Sequence, residues 1–267
     1  MGVGIAYVFA AAGCATSVVD PDPVRARALR QVMHDQAAQG LVRGKLTVEQ
    51  AQALPSRVQV VDSPDALAEG LDLVVESVPE RLELKREVLV ALAARRPKVL
   101  ATGTSALSVD ELAKDLPEPE RFLGMHFFNP VWSLQLVELI QGEATSGQTL
   151  ASAAGLVALL GKKSITVRDV PGFATSRLDV VTALEAMRML EDGVASADDI
   201  DLAMVTAYRH PIGPLRLSDV VGLDVRLDIA RHLSRALGKR YRPPQILIDK
   251  VESGQLGVKS GQGFFSW

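Results

Sequence analysis

Over roughly the first 170 residues, short β-rich runs alternate with longer stretches of helical periodicity. The predicted strands are 16–20, 57–61, 71–76, 98–102, 122–128, 134–140 and 164–167. The predicted helices are 23–38, 47–53, 82–94 and 149–160, and capping boxes stand at Thr47-Val-Glu-Gln50 and Ser108-Val-Asp-Glu111. Alternation of this kind is typical of a mostly parallel sheet with helices on both faces.

The pattern changes after Asp169. Pro171 suits a first helical turn, where its missing N–H costs nothing, and helical periodicity then continues to about Leu237 with almost no strand signal. Apolar residues at three- and four-residue spacing form one stripe: Phe173, Leu178, Val181, Leu184 and Met187. We therefore predict an α/β domain in residues 1–170 and an all-helical domain in residues 171–267.

Composition and charge narrow the class of protein. Of the 267 residues, 48% are hydrophobic and 23% are charged, as in ordinary globular domains. The net charge of −3 offers no basic surface for nucleic acid or an anionic membrane, and no apolar run is long enough to predict a membrane span. The single cysteine, Cys14, excludes an intrachain disulfide and a cysteine-based zinc cluster. No two of the four histidines have metal-ligand spacing, so we predict no metal.

The apolar segment 1–15 faintly resembles a lipoprotein signal that ends at Cys14. A secretory signal begins with a positively charged leader, however, and the first basic residue here is Arg25. We therefore favour a cytoplasmic, reducing setting over export.

Two glycines and one acid near the N-terminus form a candidate nucleotide site. Gly2 and Gly4 open an apolar helical stretch, and the strand that follows ends in Asp20, 18 residues after Gly2. This is the second half of a Rossmann βαβ unit, in which a G-x-G-x-x-G turn holds the pyrophosphate and an acid about 20 residues later binds the ribose hydroxyls. A carboxylate there repels a 2′-phosphate, so NAD is favoured over NADP. The first strand and the first two glycines of such a unit are absent from the sequence; we expect a start codon assigned too far downstream, with a real truncation as the alternative.

A histidine and a glutamate form the candidate catalytic pair. His126 stands near the end of one predicted strand, in Gly-Met-His-Phe-Phe-Asn-Pro, and Glu138 lies on the next. A neutral imidazole accepts protons near neutral pH, and a carboxylate on its other nitrogen would fix its tautomer and stabilise the imidazolium. Spacing alone favours a different interpretation, in which His126 is a buried histidine that bonds a backbone carbonyl and Glu138 is an ordinary surface acid.

The segment from Gly124 to Pro130, with a glutamate twelve residues after the histidine, resembles the 3-hydroxyacyl-CoA dehydrogenase family, in particular its short-chain, 3-hydroxybutyryl-CoA dehydrogenase-like members. Other segments resemble the family in the same order: Val74–Glu80 with Lys85, Thr102–Leu107, Asp169–Phe173, Gly213–Leu215 with Asp219–Asp224, and Lys259–Phe265. The resemblance covers essentially the whole chain.

The resemblance implies roles for four residues of the catalytic region. His126 would be the general base in the oxidising direction, with Glu138 as its orienting partner. Ser105 would hydrogen-bond the reacting 3-oxygen and also lie beside the cofactor, and Asn129 would help to hold the substrate. The alternative for Ser105 is a turn residue with a locally bonded hydroxyl, which the motif makes the less favoured interpretation.

The resemblance also places Glu80 and Lys85 along the cofactor, although both are compatible with a solvated helix start. Two positions depart from the family pattern. Ser176 stands where the family usually has an asparagine near the thioester, and Gly103 replaces an asparagine in the serine motif. Serine has one donor where asparagine has two, and glycine removes a side chain that could contact the cofactor or brace the loop. Both departures leave turnover and substrate range open.

The implied fold is a Rossmann-like domain followed by a helical domain that makes a homodimer and contributes to an acyl-CoA site between the domains. The implied reaction is NAD-dependent, reversible oxidation of (S)-3-hydroxyacyl-CoA to 3-oxoacyl-CoA. Two alternatives stay open at this stage. One is a dehydrogenase of a free hydroxy acid of the carnitine or sugar-acid type, and the other is a truncated, non-catalytic homologue.

Overall fold

In the computed structural model, which describes residues 1–267, the chain divides into two units, Met1–Val170 and Pro171–Trp267. Each unit has its own hydrophobic core. The first unit alternates strands with helices and the second is helical, which confirms the predicted fold class.

The first unit contains seven strands in two sheets. The strands are β1 (Thr16–Val19), β2 (Val58–Val61), β3 (Val74–Glu76), β4 (Leu100–Thr102), β5 (Phe122–Phe127), β6 (Leu136–Gln141) and β7 (Lys163–Arg168). β1 and β2 pair in parallel, and β3 to β7 form a second sheet in chain order in which only β5 and β6 are antiparallel. β1 and β3 each have one edge without a strand neighbour. The seven strands therefore form two separate hydrogen-bonded sheets.

Six α-helices accompany these strands: α1 (Gly2–Ala11), α2 (Pro23–Val42), α3 (Val48–Ala53), α4 (Leu82–Ala93), α5 (Val109–Ala113) and α6 (Gly147–Leu159). The predicted capping box at Thr47 is complete, because Thr47 accepts from the Gln50 N–H and the Gln50 side chain accepts from the Thr47 N–H. At α5 only half of the predicted box forms. Ser108 accepts from the backbone N–H of Glu111, whereas the Glu111 carboxylate pairs with Lys114.

Helix α2 runs four residues past its predicted end at 38. The reason lies in Gly40, where an added Cβ would stand 2.5 Å from the Tyr7 hydroxyl on α1. Glycine weakens an isolated helix, but here it permits close packing that stabilises the helix from outside. The helix stops at Arg43, before Gly44 takes a positive φ of 64°.

The second unit consists of α7 (Thr175–Glu191), α8 (Ala197–Tyr208), α9 (Pro214–Val221), α10 (Leu223–Leu237) and α11 (Gln245–Glu252). Its core includes Leu184 and Met187 of the predicted stripe, but Leu178 is 68% exposed, so the stripe was wrong at that position. The buried Asp219 accepts from the backbone N–H groups of Phe264 and Phe265. This carboxylate fastens the C-terminal segment to the helices. None of the helices in the chain has the length and apolar character needed to cross a membrane.

Candidate active site

His126 and Glu138 form a buried pair across two antiparallel strands. They are direct partners in the register of β5 and β6, which places both side chains on the same face of the sheet. The Nδ1 atom of His126 lies 2.8 Å from the Oε2 atom of Glu138. Glu138 is fully buried and His126 is 8% exposed. When Glu138 is ionised, it can only accept a hydrogen bond, so the hydrogen of this pair lies on Nδ1 and Nε2 is the basic nitrogen of the neutral ring.

The sequence of β5 explains why the two strands lie so close. All six residues of β5 are buried, and Gly124 faces Ile140 across the ladder. An added Cβ at Gly124 would stand 2.9 Å from the Ile140 Cβ, closer than side chains tolerate. Beyond the strand, the ring of Phe128 packs against the imidazole with centroids 4.5 Å apart. Packing and hydrogen bonding together hold the imidazole in one orientation.

Ser105 lies in an exposed turn after β4, which we call the serine loop (residues 104–106). Its backbone N–H donates to Glu80 Oε1 at 3.0 Å, the Ala106 N–H donates to the same oxygen at 3.1 Å, and the Thr104 hydroxyl donates to it as well. Burial raises the pKa of the Glu80 carboxyl, but the hydrogen bond from Thr104 and the charge of Lys85 outweigh burial and hold the pKa below its ordinary value. The ionised Glu80 therefore fixes the shape of the loop that presents Ser105.

Lys85 is almost completely buried, and its ammonium is engaged by protein groups. Its Nζ atom lies 2.9 Å from Glu76 Oε1, 3.0 Å from Glu76 Oε2, 3.2 Å from the Val78 carbonyl oxygen and 3.3 Å from Glu80 Oε2. Glu76, at the end of β3, also accepts from the Thr102 hydroxyl at 2.7 Å. Lys85 thus joins the ends of β3 and β4 to Glu80 and the serine loop. Sequence reasoning missed this role of Glu76 and Thr102, whose only signal was their place in the motifs that surround them.

Asn129 is exposed in the connection between β5 and β6. Lys162 stabilises this connection, because its Nζ atom donates hydrogen bonds to the carbonyl oxygens of Val131 and Leu134 at 2.6 Å each. Burial lowers the pKa of the Lys162 ammonium. Lys162 was also missed, since nothing in its sequence surroundings distinguishes it from Lys163.

The strand register gathers these groups at one edge of the second sheet. Glu76, Thr102 and Gly124 are aligned across β3, β4 and β5. The residues that follow them therefore emerge at the carboxyl ends of neighbouring parallel strands, where α/β proteins bind their ligands. Ser105 and His126 are among those residues.

Gly103, the departure from the family pattern in the serine motif, lies close to the end of β3. An added Cβ at Gly103 would stand 3.1 Å from the Glu76 carbonyl oxygen and 3.4 Å from the Ser77 hydroxyl. The backbone N–H of Gly103 also donates to that carbonyl at 2.8 Å. Glycine thus permits close approach between the ends of β3 and β4.

The predicted nucleotide end contains two further glycines. Gly2 begins α1, and an added Cβ there would make an ordinary contact with Ser77 at 3.5 Å. An added Cβ at Gly4 would stand 2.9 Å from the side chain of Val131. Gly4 therefore lets α1 pack closely on the segment that follows β5, whereas the contact at Gly2 does not require glycine.

Asp20 follows the carboxyl end of β1 and lies on the wall of a cavity of about 430 Å³. The other lining residues are mostly apolar, including Val60, Val61 and Ala66. The cavity thus combines mostly apolar walls with a carboxylate at its edge that can accept hydrogen bonds from the hydroxyl groups of a ligand.

Ser176 belongs to the second unit, where it is the second residue of α7 and half-buried. The other predicted site residues all belong to the first unit. The structure therefore brings together His126 with Glu138 and Ser105 with Glu80 and Lys85, whereas Asp20 lies beside a separate cavity.

Comparison with known proteins gives concordant matches for both units. Residues 1–170 match the family model for the NAD binding domain of 3-hydroxyacyl-CoA dehydrogenase, and residues 172–267 match the model for its C-terminal domain. A probable 3-hydroxybutyryl-CoA dehydrogenase of Bacillus subtilis is 36% identical over 270 residues, covering 100% of this chain and 94% of the relative. A 3-hydroxybutyryl-CoA dehydrogenase of Mycobacterium tuberculosis is 37% identical over 273 residues, covering 100% and 95%. The crystal structure of (S)-3-hydroxybutyryl-CoA dehydrogenase from Ralstonia eutropha matches with a TM-score of 0.93 at 34% identity, covering 100% of this chain and 95% of that one.

Proposed function

The chain belongs to the 3-hydroxyacyl-CoA dehydrogenase family, with an NAD-binding domain in residues 1–170, and we propose that it interconverts short-chain (S)-3-hydroxyacyl-CoA and 3-oxoacyl-CoA. The observation that carries this proposal is the 2.8 Å contact between His126 and Glu138 at the ligand-binding edge of the sheet. The names of the most similar relatives support 3-hydroxybutyryl-CoA as the substrate.

In the oxidising direction, His126 accepts the proton of the substrate hydroxyl at Nε2. Glu138 holds Nδ1–H, so the ring has the tautomer that this step needs, and its negative charge stabilises the imidazolium that forms. NAD, when bound, supplies the acceptor for the hydride that leaves the same carbon. In the reducing direction the imidazolium returns the proton.

Ser105 and Asn129 position the reacting oxygen in this proposal. Both are exposed, and both follow the carboxyl ends of parallel strands. Their side chains offer hydrogen-bond donors to an oxygen that gains negative charge during the reaction. Glu80 and Lys85 act indirectly, by holding the serine loop in shape.

At the other end of the cofactor, Gly2 and Gly4 lie at the start of α1, beside which the pyrophosphate binds, and Asp20 accepts from the adenosine ribose. Ser176 contributes a single hydroxyl toward the thioester of the acyl-CoA. We also propose that the protein is a cytoplasmic homodimer joined through its helical unit. Exposed apolar side chains on that unit, such as Leu202 and Tyr208, support the dimer.

The experiment is NADH-dependent reduction of acetoacetyl-CoA by the wild-type protein and by His126→Gln. The variant should bind NADH as the wild-type protein does and should lose turnover by about 100-fold or more, because only the proton donor is removed. His34→Gln is the matched control, since His34 is exposed on α2. Near-normal turnover of His126→Gln would refute the assigned role. Higher activity on free acetoacetate than on acetoacetyl-CoA would refute the acyl-CoA substrate and would indicate a dehydrogenase of free hydroxy acids.

A further inference from the structure

Asp20, which lines the cavity proposed for adenosine, accepts hydrogen bonds from the side chain of Arg25 in the first turn of α2. The Arg25 Nε atom lies 3.0 Å from Asp20 Oδ2, and the Arg25 Nη2 atom lies 3.0 Å from Asp20 Oδ1. This forked arrangement is the geometry in which guanidinium binds planar carboxylates most strongly. The hydrogen bond from Arg25 holds the pKa of the Asp20 carboxyl below its ordinary value.

The surroundings of Arg25 carry charges of both signs. Its third nitrogen lies 3.2 Å from Asp22, which also caps α2 by accepting from the Val24 and Arg25 N–H groups. Arg27 and Asp62 line the same cavity as Asp20. Arg25 itself is 65% exposed, and each of its three guanidinium nitrogens contacts Asp20 or Asp22. Because most of the side chain is exposed, a further anion can reach the guanidinium.

We propose that Arg25 is a specificity-determining residue for the adenosine end of the nucleotide, an inference that rests on the proposed NAD-dependent function. While Asp20 is ionised, Arg25 orients the carboxylate toward the ribose hydroxyls and is itself neutralised. Once Asp20 loses its charge, the same guanidinium becomes a ligand for a 2′-phosphate. The preference for NAD over NADP thus depends on one pair of residues.

Phosphate and carboxylate compete for the same fork of donors, because both present two oxygens at a spacing that guanidinium matches. Arg25 lies in the first turn of α2, where the helix dipole also favours an anion. In the wild-type protein, a 2′-phosphate meets the Asp20 carboxylate first and is repelled. Removal of that charge takes away the repulsion and releases Nε and Nη2 of Arg25 for the phosphate, while Nη1 stays with Asp22.

The test measures dissociation constants of NADH and NADPH, from the fluorescence of the bound nucleotide, for the wild-type protein and four variants. Asp20→Ser removes the carboxylate, and Asp20→Asn removes only its charge while retaining an acceptor for the Asp22 N–H, so at least one is expected to fold. Either should improve NADPH affinity relative to NADH by about 100-fold, the scale of a charge-assisted bidentate contact. The double variant Asp20→Asn/Arg25→Gln should lose that gain. Asp20→Asn/Arg30→Gln, which removes an exposed arginine farther along α2, should keep it.

A gain that survives in Asp20→Asn/Arg25→Gln would overturn the assignment to Arg25. So would an unchanged NADPH preference in both single variants while the wild-type protein binds NADH. If the wild-type protein binds neither nucleotide, the proposed function fails, and the inference fails with it. The two failures are therefore distinguishable by the wild-type NADH titration alone.

Discussion

Replacement of Glu138 by Gln tests the catalytic pair by removing one negative charge at constant shape. Glu138 is fully buried and its Oε2 atom contacts His126 Nδ1 at 2.8 Å. The glutamine carbonyl can still accept from Nδ1–H, so the ring should keep its place. Only the counter-charge of the imidazolium is lost.

The size of the effect follows from Coulomb's law. Unit charges about 4 Å apart attract by about 4 kcal/mol at an effective dielectric constant of about 20. The glutamine amide of the variant still accepts a neutral hydrogen bond from Nδ1–H, which retains about 1 kcal/mol of that attraction. The remaining loss of about 3 kcal/mol makes the imidazolium harder to form and corresponds to a decrease in turnover of about 100-fold.

The assay is kcat for acetoacetyl-CoA reduction by Glu138→Gln, His126→Gln and the double variant, with NADH binding and circular dichroism as controls. The double variant should be no slower than His126→Gln, since Glu138 acts only through the imidazole. Additive losses, or near-normal turnover of Glu138→Gln, would refute the pair.

Three further predictions concern the supports of the site and of the helical unit. Glu80→Gln should destabilise the protein by about 1 kcal/mol at neutral pH. The folded protein lowers the pKa of Glu80, so the contribution of the ionised carboxylate to the unfolding free energy is present above the ordinary pKa of 4.5 and is lost as pH falls through the folded pKa. The urea midpoint of the variant should therefore change less with pH in the acid range than that of the wild-type protein. Lys162→Met should lower unfolding free energy by about 1–3 kcal/mol, because two carbonyl oxygens lose their donor; an unchanged urea midpoint would contradict this. Gly213→Ala should lower the melting temperature, since its Cβ would overlap Asp201, which caps α9 through the Leu215 N–H; a temperature equal to wild type would show that the cap can move.

Much of the first unit was predictable from local patterns. Strand ends differ from prediction by at most three residues, as at β3, which was expected from 71 and begins at Val74. Alternation and β-branching reveal such strands because they reflect side-chain burial directly. The closeness of His126 and Glu138 was also expected, but their direct opposition depends on strand register, which neither residue encodes by itself.

The supports of the site could not be predicted in the same way. Lys85 was expected beside the cofactor, yet it is buried against Glu76, nine residues earlier in the chain. That contact depends on how α4 packs against the end of β3, which is a tertiary property. Likewise, the apolar stripe correctly located Leu184 in the core but not Leu178, because periodicity shows a face without showing how far a neighbour covers it.

Placement of the imidazole and its carboxylate on facing rungs of one ladder has a consequence for heat inactivation. A shift by a single rung would send the two side chains to opposite faces, so a slipped pairing has no dyad at all. Both strands lie inside the sheet, each with a strand neighbour on either side. The dyad therefore exists only while the ladder between β5 and β6 is intact, and heat that opens this ladder inactivates the molecule.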